Sequence, residues 1–97
     1  MIVDQTKGVR RMKMISATIC NNKIMWMNLV PYDRKEFEHE DGYNGKVYAT
    51  ATNGTEMVID RYGASDTIVD VLIKTDSITT ALMAIFEILG ENGIDNL

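Results

Sequence analysis

Apolar and polar residues alternate along "MKMISATI" (12–19) and "IMWMNLV" (24–30), and the same period returns in "KVYATAT" (46–52), "TEMVIDR" (55–61) and the β-branched "TIVDVLIK" (67–74). A repeat of two residues marks a half-buried strand. Asn21-Asn22 and Asn53-Gly54 fall between successive runs as two-residue connections that tolerate positive φ, which predicts two hairpins. The "YGASD" turn before residue 67 pairs the fifth run with the fourth. From residue 75 the period lengthens. Ile78, Ala81, Leu82, Ile85, Phe86 and Leu89 recur at helical spacing, with Asp76 or Ser77 placed to cap and Gly90 to stop. The expected fold is α+β: a five-stranded antiparallel β-meander, strands in chain order, with a short helix after strand 2 and a C-terminal helix packed on one face. Its 97 residues make one domain, with residues 1–8 and 91–97 expected to be loosely held.

The short helix is expected in "PYDRKEFEHEDGYNG" (31–45), which holds five carboxylates and the only histidine. Pro31 ends the second strand, Asp33 with Glu36 fits a capping box, and Tyr32 with Phe37 fits a hydrophobic staple. Gly42 suits the position just past a helix running from Arg34 to about Glu40. In that helix Glu36 and Glu40 share a face that Glu38 does not, so the acids and His39 converge poorly on a metal. Gly42 and Gly45 lack the spacing of a phosphate-binding loop. Most of the carboxylates then cap the helix or face water. If they act at all, Asp33, Glu36, Glu38, Glu40 and Asp41 would imitate a row of phosphates.

Pairing the first hairpin through Asn21-Asn22 places Thr18 opposite Met25, Ser16 opposite Met27 and Met14 opposite Leu29. Ile15, Ala17, Ile19, Ile24, Trp26 and Val30 then form the layer under the C-terminal helix. A single sheet with one main helix covers one side only, which leaves Met12, Met14, Met25, Met27 and Leu29 as surplus apolar surface. Methionine suits adaptable contacts. Met83, Ala84 and Ile88 fall outside the stripe that begins at Ile78 and enlarge that surplus. The expected interface is therefore Met12, Met14, Met25, Met27, Leu29, Met83 and Ile88.

Composition changes this picture in few places. The single Cys20 forms no internal disulfide, so a reducing, cytoplasmic setting is expected. The apolar run Ile78 to Leu89 is interrupted by Thr79, Thr80 and Glu87 and is shorter than the ~20 residues that cross a bilayer. Net charge is -4, with basic groups gathered in residues 1–13 and only acids from residue 76 onward. That balance disfavours direct nucleic-acid binding. Cys20 with His39 could be imagined as nucleophile and base, and carboxylate chemistry needs two acids across a cleft, for which a domain this small has little room. The chain is accordingly expected to be a non-enzymatic protein that binds a protein partner. A homodimer is expected, with no cofactor, of the inhibitor or regulator type that phages and mobile elements encode. An acidic nucleic-acid mimic is the alternative and a small enzyme the third.

Overall fold

A computed structural model describes residues 12–40 and 42–90. Five strands form one antiparallel sheet: β1 (Lys13–Cys20), β2 (Lys23–Pro31), β3 (Val47–Thr50), β4 (Glu56–Tyr62) and β5 (Ile68–Ile73). One α-helix, α1 (Ile78–Gly90), follows them. The fold is α+β, but the sheet is not a meander in chain order. Its strands run β2-β1-β5-β4-β3. β1 pairs with β5 from Ile15↔Ile73 to Cys20↔Ile68, and among the described residues β2 and β3 are not neighbours. Two features explain this order. β1 carries no charge from Met14 to Cys20 and is lined with buried residues, which suits an inner strand, whereas β3 has only four residues and suits an edge.

The order dictates where the rest of the chain goes. β2 and β3 lie at opposite edges, so residues 32–46 must cross the sheet. α1 occupies one face, against which Ile15, Ala17, Ile19, Met57, Ile59, Val69, Val71 and Ile73 pack. The crossing segment therefore lies over the other face, and Val58 and Met14 are buried there, Met14 at 6% exposure. Instead of the helix expected from Arg34 to Glu40, the segment forms a 3-10 turn at Arg34–Phe37. Asp33 does cap it, accepting from the Lys35 N–H at 3.0 Å. Tyr32 and Phe37 stack as a staple, centroids 5.8 Å apart. Glu36 does not close the capping box and turns instead to Lys46, 3.6 Å away. A side chain committed across the chain gives the turn no support for extension into an α-helix.

The first hairpin closes at Asn21 and Asn22, both at positive φ as a two-residue primed turn demands. The second does not close at two residues. Thr50 pairs with Glu56 and the Ala51 N–H donates to Thr55 O at 2.8 Å, leaving Thr52, Asn53 and Gly54 as the loop, with Gly54 at φ 91°. Gly54 N–H donates to Ala51 O and Asn53 Oδ1 accepts from Thr55 N–H, so the turn begins one residue earlier than the Asn-Gly pair suggests.

Ser77 is the N-cap of α1, its Oγ accepting from the Thr80 N–H at 3.2 Å. The buried stripe is Ala81, Ala84, Ile85, Ile88 and Leu89. It is rotated from the expected one, since Ala84 and Ile88 are buried while Phe86 and Ile78 are exposed. Small side chains at 81 and 84 let the helix approach the sheet closely on that side, and bulky Phe86 turns out. Glu87 fixes the rotation: its carboxylate accepts from both the backbone N–H and the Oγ1 of Thr52, at 2.9 Å each, tying the helix to the β3–β4 loop.

Candidate protein-binding surface

β2 is an edge strand, hydrogen-bonded to β1 on one side and to no other described strand on the other. Its pairing with β1 starts as expected at Cys20↔Lys23 and Ile19↔Ile24, then shifts, so that Thr18 opposes Trp26 and Ala17 opposes Met27. Met25 is the extra residue of a β-bulge. From Trp26 onward every side chain changes face relative to the regular hairpin. Met27 and Leu29 join Ile15 and Ala17 on the helix face, and Trp26 and Val30 move to the crossed face beside Thr18 and Met14.

The expected interface residues therefore separate. Met14 is buried by its own chain, and Ile88 is buried under α1 at 7% exposure. Neither offers surface. Met27 is half-buried against the core. Met12, Met25, Leu29 and Met83 are exposed, Met25 at 60% and Leu29 at 50%, and they are joined by two residues that the expected register and stripe had placed inside, Trp26 at 45% and Phe86. Glu87 reaches toward the β3–β4 loop, so the opposite flank of α1, where Phe86 stands, looks toward β2. Met25, Trp26 and Leu29 are thus exposed along the β2 edge, Trp26 on the crossed face and Leu29 on the helix face, and Phe86 and Met83 are exposed on α1. Trp26 and Phe86 were missed because a single inserted residue and a rotated helix leave no trace in hydrophobic period.

The acidic residues disperse. Glu38 is ion-paired to Arg34 at 2.8 Å, Glu36 to Lys46, and Asp33 caps the turn. Glu40 is exposed, and Asp41 lies outside the described residues, as do residues 1–8 and 91–97. His39 stacks on Tyr43 with ring centroids 4.1 Å apart, and Cys20 is half-buried at the hairpin corner. Among the described residues no three His, Cys, Asp or Glu side chains group to hold a metal ion. No described helix is long and apolar enough to cross a membrane.

Under the crossing segment lies a cleft of about 240 Å³, floored by Ser16, Thr18, Val58, Asp60, Asp70 and Leu72 and walled by Trp26, Glu36 and Lys46. Asp60 and Asp70 stand directly opposite each other on β4 and β5. Both oxygens of Asp70 are engaged, one by the Thr18 hydroxyl at 2.7 Å and the other by the Tyr62 hydroxyl at 2.8 Å. That hydrogen bond raises the Tyr62 pKa above the ordinary value, with desolvation and the charges of Asp70 and Asp60 adding to it. Lys74 is likewise held charged by its hydrogen bond to Glu56 at 3.3 Å, and it sits 5.5 Å over the Tyr32 ring. These contacts fasten the crossing segment and the strands to each other. Neither a protein-family model, nor a curated protein, nor a solved structure matches this chain.

Proposed function

We propose that this protein is non-enzymatic and acts as an inhibitor or regulator by binding another protein chain along β2 and the flank of α1 beside it. The observation that carries this reading is the exposure of Met25, Trp26 and Leu29 on an edge strand whose only charge is Lys23. Edge strands that must stay unpaired are normally short or charged, or are covered by other chain. β2 has nine residues and is apolar on both faces. Large apolar groups exposed in succession along one strand edge suit a contact surface better than ordinary solvent-facing scatter. Aromatic and methionine side chains are also the types enriched at interface centres.

An acid/base enzyme is supported less well, because Asp70, the best-placed carboxylate, spends both oxygens on hydroxyl donors that hold the strands. An acidic decoy is also supported less well, since Glu36 and Glu38 are each tied to a cation. The test compares wild type with Leu29→Glu and Phe86→Glu in light scattering and in affinity capture from the native host. Wild type should hold a protein chain, its own or another. Each variant should lose it with an unchanged circular dichroism spectrum, because an unpaired charge in an interface core costs several kcal/mol, of order ~2–5. Association indifferent to both substitutions removes the reading.

A further inference from the structure

We infer that the occupant of the β2 edge is the β2 edge of a second copy, paired antiparallel about a two-fold axis at Asn28, so that two five-stranded sheets join into one. The inference rests on the binding reading above and names its partner.

Backbone direction selects the register. The Tyr32 N–H donates to Met12 O across the β1–β2 ladder at 3.2 Å, so Tyr32 points its hydrogen-bonding groups toward β1. Strand groups alternate sides, and Val30, Asn28 and Trp26 therefore point inward as well, while Pro31, Leu29 and Met27 point out. The outward donors on the regular part of β2 are the N–H groups of Met27 and Leu29, because Pro31 has none. An axis at Asn28 pairs Met27 of each copy with Leu29 of the other, and each such pair exchanges both of its N–H···O bonds. An axis one residue later would set Met27 against Pro31 and lose a donor. An axis one residue earlier would set Leu29 against the Met25 bulge, where the ladder is broken.

The side chains agree with the same register. On the helix face Met27 meets Leu29 of the second copy, both apolar. On the crossed face Trp26 meets Val30, an aromatic and β-branched pair of the kind that stabilises cross-strand contacts. Asn28 meets its own copy on the axis, where two amides can each donate and accept. No charge occurs between Ile24 and Pro31, so nothing in the paired segment repels its copy. Beyond the bulge, Lys23 of each copy comes level with the Tyr32–Asp33 end of the other, and their charges are opposite. The pairing is also self-limiting: Pro31 faces the Met25 bulge at both ends, which stops the ladder from extending and closes the assembly at two chains.

The experiment uses the full chain in a Cys20→Ser background. Wild type should sediment as a concentration-dependent dimer. Leu29→Pro removes an outward donor but no β1–β2 hydrogen bond, so it should sediment as a folded monomer. Because that variant could alter the strand itself, the axis is tested separately by cross-linking. Asn28→Cys brings two thiols together at a non-hydrogen-bonded pair, the closest type, whereas Leu29→Cys does not face its own copy. Asn28→Cys should form the covalent dimer at least about tenfold faster than Leu29→Cys, through the higher effective concentration of its thiols. Equal rates for the two thiols, or a wild type monomeric at every concentration, overturns the self-pairing. If that monomer still captures a different host protein in a manner lost in Leu29→Glu, the self-pairing is wrong and the binding reading stands. If it captures none, both fall.

Discussion

Thr18 on β1 stands opposite Trp26 on β2, one residue further along than a regular two-residue hairpin places it. That displacement decides the character of both sheet faces. It sends Met27 and Leu29 to the helix side and brings Trp26 out over the crossed face, at the rim of the cleft that contains Asp70. Without the bulge at Met25 the edge would present methionines on one face and leave the tryptophan beneath α1.

Deleting Met25 should therefore leave the fold and the faces intact. Ile24 would still oppose Ile19 and Trp26 would still oppose Thr18, now in an unbroken ladder. The expected stability lies within about 1 kcal/mol of wild type, as for other changes that touch no buried group. Emission from the single tryptophan should remain that of a half-exposed indole. A blue shift to a buried spectrum would show that the register had slipped instead.

Glu87 joins the helix to the β3–β4 loop through Thr52, whose backbone N–H and hydroxyl both donate to its carboxylate. Glu87→Ala should cost on the order of 1 kcal/mol, the lower range for bonds to a charged acceptor because the site is open to water. Chemical denaturation measures the loss directly. Amide exchange adds a local readout, since the Thr52 N–H should exchange faster in the variant while amides in β5 keep their protection relative to global stability.

Asp33→Ala should lower stability by about 0.5 kcal/mol, at the small end of capping effects, because the cap serves one 3-10 turn rather than an α-helix. Asp33→Asn keeps an acceptor oxygen for the Lys35 N–H and should recover most of that loss. A fall of several kcal/mol in Asp33→Ala, seen by urea denaturation, would mean that the turn supports far more of the crossing segment than its single capping bond indicates.

Local periodicity made most of the elements legible. All five strands, the helix and its Ser77 cap, the Asn21-Asn22 turn and the Tyr32–Phe37 staple follow from residues close in sequence. The strand order does not, because β1 and β5 pair across about fifty residues and no local pattern records it; the absence of charge from Met14 to Cys20 in β1 and the brevity of β3 are the signals that bear on it. Nor does the bulge, since Met25 carries no residue preference that singles it out from Met27. Once both are known, the exposure of the candidate surface follows. Met14 sinks beneath the crossing segment, and Trp26 and Phe86 come out.

The Tyr62–Asp70 hydrogen bond makes a prediction about alkaline stability. The bond needs the phenolic proton, and together with the nearby carboxylates it raises the folded-state pKa of Tyr62 above the ordinary value of about 10. A raised pKa means that the native state holds the proton more tightly than the unfolded chain does. The contribution is therefore fully present below the unfolded pKa and is lost as pH climbs through the folded one. Stability should decline from about pH 10 upward, and part of that decline should be absent from Tyr62→Phe, which has no proton to lose. In a phenolate absorbance titration, Tyr62→Phe should remove a component of the wild-type signal that ionises above the ordinary tyrosine value. Asp70→Asn should lower the Tyr62 ionisation back toward the ordinary value, because the amide removes both the strong acceptor and the charge. If Asp70→Asn leaves the Tyr62 ionisation where it stands in wild type, Tyr62 is not donating to Asp70 in solution, and the clasp between β4 and β5 on the crossed face is absent.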